Sequence, residues 1–140
     1  MRAGCLCLRA GRNGPEALLI RTSSGKRTTI PKGSVESPEA PLAAARRELL
    51  EEAGHEAKLD PRPVLWGAWR GEQLVVFLGR NARPVQPAEP RRNPEWVPVS
   101  AARRRLMEQR SQAEASFFRH LMIETMKRFD PQFLFPAEEE

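Results

Sequence analysis

The chain has no tyrosine, two histidines, two cysteines and no apolar run approaching the length of a membrane span, and each shortage removes a class of function. Without about eighteen consecutive apolar residues there is no spanning helix, and the N-terminus has an arginine but no signal-peptide core. Cys5 and Cys7 stand two apart, where a strand puts both on one face, so they serve as packing residues and not as a staple or a zinc pair. Two unpaired thiols suit a reducing compartment, and the expected location is the cytoplasm. With so few histidines and thiols, any metal would have to be held by carboxylates.

What the chain has in quantity is arginine, proline and glutamate. Lys plus Arg number 23 against 18 Asp plus Glu, a net charge of +5 over 140 residues. That length is one domain by the usual prior, taken here as residues 1–136, with 137–140 an acidic frayed tail. A basic surplus attracts phosphates, either of nucleic acid or of small polyanions. No aromatic-interleaved basic sheet and no zinc-finger spacing accompanies it, so a small phosphorylated partner is favoured over nucleic acid. Oligomeric state is left open.

Against this basic background, residues 33 to 55 concentrate acid. Ser37 is the expected helix cap, Pro38 the first helical residue and Glu39 an anion near the positive dipole end, with Gly54 as the left-handed stop. Pro41 then falls inside the helix and predicts an irregular first turn. At 100° per residue Leu42, Ala45, Leu49 and Ala53 share one side, and Glu48, Glu51 and Glu52 share another arc. Like charges at i,i+3 and i,i+4 repel by roughly 0.2–0.5 kcal/mol per pair, a sign that a divalent cation would reverse. Oxygen donors favour a hard ion, Mg²⁺ or Mn²⁺. Arg47 neighbours Glu51 at i,i+4 and can hold a carboxylate in place.

Gly33, Glu39, Arg47, Glu48, Leu49, Glu51, Glu52 and Gly54 together resemble the signature of the Nudix hydrolases, with His55 in place of the final hydrophobic residue. The resemblance implies an α+β Nudix fold, an α/β/α sandwich with a mixed sheet. It also implies a hydrolase that cleaves a diphosphate linkage in a nucleoside diphosphate joined to another moiety, X. By the same resemblance Glu48, Glu51, Glu52 and the Gly33 carbonyl are metal ligands. Glu48 is also the favoured general base, with Glu72, Glu89 and Glu95 as downstream candidates. Arg47 orients the acidic cluster and Glu39 supports the loop. Arg21, Lys26, Arg27 and Lys32 precede the motif, and Lys32 and Arg27 are the expected phosphate-binding residues.

The moiety X is less legible. Pro31-Lys32-Gly33 resembles the approach seen in enzymes of diadenosine or diphosphoinositol polyphosphates, but the tyrosine associated with the former is missing, as is the proline associated with ADP-ribose hydrolysis. Triphosphate house-cleaning stays open, as do two other readings: a nucleotide-binding module without catalysis, and removal of pyrophosphate from RNA 5′ ends.

Outside the motif, residues 3–9 and Glu16 to Thr22 read as a hairpin around Asn13-Gly14-Pro15, Thr28 to Ile30 as a short strand, and Ala57 to Leu59 as an extended piece. Val64 to Arg70 and Gln73 to Gly79 read as strands joined at Gly71-Glu72. Residues 80–94, with Pro84, Pro87, Pro90 and Pro94, are expected to be irregular, either a solvated linker or a flap. Glu95 to Val99 reads as an edge strand, Ser100 as the cap of a helix, and Gln112 to Phe129 as a last helix packed through Phe118, Leu121, Met122 and Thr125. Trp66, Trp69 and Trp96 are expected to be buried, and His120 to be structural or exposed.

Overall fold

The computed structural model describes residues 1–135. The expected acidic tail at 137–140 lies outside the described residues. In chain order the elements are β1 (Arg2–Gly11), β2 (Gly14–Arg21), β3 (Thr28–Thr29), β4 (Lys32–Ser34), α1 (Pro41–Ala53), β5 (His55–Leu59), β6 (Leu65–Trp69), β7 (Glu72–Pro84), β8 (Glu95–Pro98), α2 (Val99–Met107) and α3 (Gln112–Phe129).

The sheet is mixed. β1 runs parallel to β7 from Arg2↔Leu74 to Cys7↔Gly79. β1 is antiparallel to β2 in the expected hairpin and to β4, which pairs Gly33 with Ala3. β5 and β6 are both antiparallel to β7, and β3 and β8 both pair with β2. Two consecutive residues with positive φ, Arg70 at 50° and Gly71 at 80°, close the β6–β7 hairpin, the backbone twist that a tight two-residue connection requires.

Alternation along the central strands feeds two cores. Cys5 and Cys7 of β1, Leu18 and Ile20 of β2, and Val75 and Phe77 of β7 pack with Ala45, Leu49 and Ala53 of α1. Their neighbours Leu6, Leu8, Leu19, Leu74, Val76 and Leu78 pack with Leu106 of α2 and with Phe118, Leu121 and Met122 of α3. Helices cover both faces, which makes the α/β/α sandwich. The period of two is strict here because both faces are buried, so a slip of one residue would exchange the two cores. Among the described residues no helix is long and apolar enough to cross a membrane.

Four local expectations are corrected. Ser37 and Pro38 do not open α1; the helix starts at Pro41, Ala40 is the N-cap without a side-chain hydrogen bond, and the Ser37–Pro38 peptide is cis. Pro41 at the first helical position lacks only an N–H that would have had no partner there, so its turn is regular. Glu39 closes a turn in which its N–H donates to the Glu36 carbonyl and its carboxylate accepts from the Glu36 N–H, both before the helix. α2 begins at Val99 after Pro98, so Ser100 lies inside it and caps nothing. β7 continues through Pro84, because β5 pairs it as far as His55↔Pro84, with a register shift between Glu56 and Lys58. Lastly, Trp69 is 2% exposed but Trp66 is 51% exposed. α3 spans the residues expected of it, and His120 is exposed.

Residues 85–94 are largely exposed, yet the stretch is tethered to the C-terminal end of α1. The N–H groups of Val85 and Gln86 donate to the Gly54 carbonyl, the Gln86 side chain donates to the Leu50 carbonyl, and the Glu89 N–H donates to the Glu51 carbonyl. The Glu51 carbonyl is one that a helix C-terminus leaves without an intrahelical partner, whereas that of Leu50 also accepts from the Gly54 N–H. Gly54 makes the docking possible: its φ is 66°, and a Cβ there would lie 2.1 Å from the Gln86 carbonyl oxygen.

Candidate active site

The sheet delivers β4 to the side of α1 that carries the carboxylates. The Lys32 backbone N–H donates to Glu52 Oε1 at 2.9 Å, and Gly33 lies so close to Glu48 that a Cβ on it would sit 2.2 Å from Glu48 Oε1. Gly33 is therefore needed for its missing side chain, a requirement of close approach.

Arg47 ties the loop to the helix. Its Nη2 and Nε donate to the two oxygens of Glu39 at 2.7 and 3.2 Å, Nη1 to Glu48 Oε1 at 2.9 Å and to Glu51 Oε2 at 3.4 Å, and Nη2 also to the Ser34 carbonyl at 3.0 Å. The planar fork suits this paired geometry, which a lysine could not reproduce. Through it Glu39, eight residues upstream, braces the loop. Hydrogen bonds from Arg47 hold the Glu39 carboxyl below the ordinary carboxylate range.

Two of the three helix carboxylates are buried, Glu48 and Glu52 at 8% exposure each, and Glu51 is exposed. Burial raises the Glu48 pKa, Arg47 opposes the rise, and Glu51 and Glu89 add to it. Burial pushes Glu52 up to about 7, against the Lys32 N–H and Arg92, with Glu48 adding to the rise. Carboxylates this desolvated resist ionisation unless positive charge is supplied. Glu52 receives some from Arg92, whose Nη2 donates to Glu52 Oε2 at 2.9 Å and also pairs with Glu89 at 2.9 Å.

Beside Glu52 opens a cavity of about 240 Å³. Arg2, Arg27, Lys32, Arg70, Arg92 and Arg110 line it, with Glu52 the one carboxylate among its lining residues. The Lys32 ammonium donates to Thr29 Oγ1 at 3.0 Å and lies 5.0 Å from the Trp69 ring centroid. Burial lowers its pKa to about 7, a fall that Glu52 opposes and that Arg110, Arg2 and Arg70 deepen.

Gly33 thus abuts Glu48, Glu48 and Glu51 share Arg47, Glu52 accepts from the Lys32 N–H, and Lys32 and Arg27 line the adjoining cavity. Arg21 and Lys26 do not join them; they line a separate pocket with Arg105. Of the downstream carboxylates, Glu89 is brought to the acidic helix by its loop, whereas Glu72 pairs with the N-terminus and Arg2, and Glu95 with Arg105. Sequence reasoning passed over Arg2, Arg70 and Arg110. Each is remote in sequence from the motif and looks like any other surface arginine until the sheet is assembled.

Among the described residues no three His, Cys, Asp or Glu side chains converge into a ready-made metal cage. The donor chemistry nevertheless fits a hard divalent cation: three carboxylates on one helix side, two of them desolvated, with Arg47 and Arg92 supplying positive charge to them.

The arrangement defines a class, an α/β/α sandwich that sets a carboxylate-bearing helix against a cationic cavity. The family model described as the NUDIX domain matches residues 1–121, and the chain belongs to the Nudix family. Diphosphoinositol polyphosphate phosphohydrolase 3-beta of Bos taurus is 41% identical over 58 residues, which are 41% of this chain and 35% of that protein; the 3-alpha protein of Homo sapiens matches with the same figures. The match spans about a third of the length of these relatives. An Ap4A hydrolase of C. elegans, solved as a binary complex, superposes with a TM-score of 0.71 at 21% identity over 95% of this chain and 100% of its own. A NUDIX hydrolase from Nitrosomonas europaea does so with a TM-score of 0.65 at 16% identity over 96% and 90%. At such identities the structural likeness speaks for the fold, an α+β sandwich with a mixed sheet.

Proposed function

We propose that this chain is a divalent-metal-dependent pyrophosphohydrolase that cleaves a diphosphate linkage in a small, highly phosphorylated substrate. One observation carries the reading: the buried carboxylates of α1 adjoin, at Glu52, a cavity lined by six cationic side chains. An anhydride bridge has phosphoryl oxygens to be neutralised on both sides of the bond that breaks, and this juxtaposition offers charge for both. The names of the relatives, which concern diphosphoinositol polyphosphates and Ap4A, support a substrate of high phosphate density.

In this reading Glu48, Glu51, Glu52 and the Gly33 carbonyl hold Mg²⁺ or Mn²⁺. When bound, the cation neutralises anhydride oxygens and makes phosphorus a better electrophile. Glu48 accepts a proton from the attacking water while the water oxygen bonds to phosphorus and the bridging P–O bond breaks, the electron pair leaving with the departing phosphate. Arg47 keeps Glu48 in position through the fork it shares with Glu39. Lys32 and Arg27 bind phosphate oxygens, and a cation held at Glu52 would favour its ionised form against the burial that raises its pKa.

The test is a panel of nucleoside triphosphates, dinucleoside polyphosphates, inositol pyrophosphates and triphosphorylated RNA, with Mg²⁺ or Mn²⁺, products identified by mass. Turnover of at least one small diphosphate-containing compound, abolished by chelator, is expected. Binding without turnover of any member would favour a nucleotide-binding module. Turnover of RNA alone, falling steeply with salt, would favour 5′-end processing.

A further inference from the structure

We propose that Arg92 and a divalent cation compete for Glu52, so that cation binding unlatches residues 89–93 from the side of the cavity. This rests on the reading above for the place of the cation.

The stretch between β7 and β8 is fastened at two ends by different chemistry. At the first, the N–H groups of Val85, Gln86 and Glu89 and the Gln86 side chain donate to carbonyls of α1 and Gly54. No charge is involved. The second runs through Arg92. Its Nη2 donates to Glu52 Oε2 at 2.9 Å, its Nε to Glu89 Oε1 at 3.0 Å and its Nη1 to the Arg21 carbonyl at 3.3 Å. The Arg92 carbonyl in turn accepts from the Arg21 N–H at 2.6 Å. One guanidinium thus joins the acidic helix, the strap and the end of β2, and its side chain is only 13% exposed.

Both oxygens of Glu52 are engaged, Oε1 by the Lys32 backbone N–H and Oε2 by Arg92. The first donor is neutral and can stay beside a cation. The second cannot. A Mg²⁺ or Mn²⁺ ion on that carboxylate would stand within about 5 Å of the guanidinium, in a site with little water to screen like charges. By linkage, whatever affinity the latch takes from the cation, the cation takes from the latch.

The backbone around Arg92 is set to move once it is free. Arg91 and Asn93, neither of them glycine, flank it with φ of 67° and 42°. Such left-handed conformations persist where surrounding contacts hold them, and Arg92 makes the ionic contacts of this segment. Arg92 also lines the cavity beside Thr22, Ser23 and Ser24. Its withdrawal widens that side, which places cation loading ahead of substrate entry.

The test titrates Mg²⁺ and Mn²⁺ calorimetrically into wild type, Arg92→Gln and Arg92→Lys without substrate, and follows amide exchange by NMR with Mg²⁺ and in chelator. Arg92→Gln is expected to bind either ion about tenfold more tightly. Arg92→Lys keeps the charge but cannot span Glu52, Glu89 and the Arg21 carbonyl at once, so it should tighten binding by a smaller factor. In wild type, Mg²⁺ should remove the exchange protection of the Arg21 N–H and leave Val85 and Gln86 protected. In Arg92→Gln the Arg21 N–H should exchange fast in chelator as well. Weaker cation binding by Arg92→Gln would make Arg92 a support of the site and overturn the latch. So would wild-type affinity in Arg92→Lys, or a wild type that binds Mg²⁺ with Arg21 still protected; these two readouts stand even if Arg92→Gln fails to fold. Unlatching by Mg²⁺ with no diphosphate hydrolysed would leave the latch standing and defeat the hydrolase reading, whereas no cation bound by any of the three proteins would defeat both.

Discussion

Replacing Gly33 by alanine tests the closest approach in the site. The new Cβ would lie 2.2 Å from Glu48 Oε1, 2.4 Å from its Cδ and 2.8 Å from Oε2, so the carboxylate must swing away while the backbone stays. Gly33 has no positive φ, so alanine meets no conformational barrier of its own. Moving Glu48 breaks the 2.9 Å bond from Arg47, a charge-assisted contact of roughly 1.5–3 kcal/mol. Two effects work the other way: a buried carboxylate gains solvent, and alanine lowers the entropy of the unfolded chain by roughly 0.4–1 kcal/mol. The net loss is about 1–2 kcal/mol, a fall in Tm of roughly 3–8 °C for a chain of this size. Activity should suffer far more, because a carboxylate misplaced by an ångström or more loses on the order of a hundredfold in rate. Scanning calorimetry and steady-state kinetics on the same preparation read both effects. A Gly33→Ala protein with wild-type kcat would show that Glu48 has no need of the position it occupies, and the proposed role for it would fall.

Metal binding should raise Tm, by about 2.7 kcal/mol of stabilisation at a hundredfold excess over Kd; Glu51→Gln with Glu52→Gln should remove the Mg²⁺ or Mn²⁺ response, and a full response in that double variant would place the ion elsewhere. Because the folded-state pKa of Glu52 is raised from 4.5 to about 7, its contribution to stability is fully present below about pH 4.5 and is lost as pH rises through 7. Tm in chelator should therefore decline across that window in wild type and decline less in Glu52→Gln; parallel curves would refute the assignment. Glu114, whose pKa is lowered, acts in the opposite sense and at lower pH: its contribution is present above about pH 4.5 and is lost on acidification through its folded pKa. For the base, Glu48→Gln should lower kcat by roughly 10²–10⁴ and Glu95→Gln, which only frees Arg105, by little; a greater loss from Glu89→Gln than from Glu48→Gln would transfer the role to the loop.

Periodicity was enough to read the shared face of Cys5 and Cys7, the α3 packing face and the acidic arc of α1, because those patterns are local consequences of 2.0 and 3.6 residues per repeat. The motif from Gly33 to Gly54 is likewise local, and it carries the family. Local signals misled where two of them competed: Ser37-Pro38-Glu39 is a plausible helix start, but Arg47 and a tight turn hold Glu39 outside the helix, and Pro41 takes the first position instead. Proline content suggested a free loop, yet the stretch after Pro84 finds hydrogen-bond acceptors at the C-terminal end of α1 that no sequence window displays. The cavity belongs entirely to the tertiary structure. Arg2, Arg70 and Arg110 stand 68 and 40 residues apart along the chain, and only the parallel pairing of β1 with β7 and the packing of α3 on the sheet bring them together. Sequence by itself determined that there is a helix with an acidic arc; the register of a mixed sheet decided what faces it, since a surface arginine acquires a partner only from its neighbours in space.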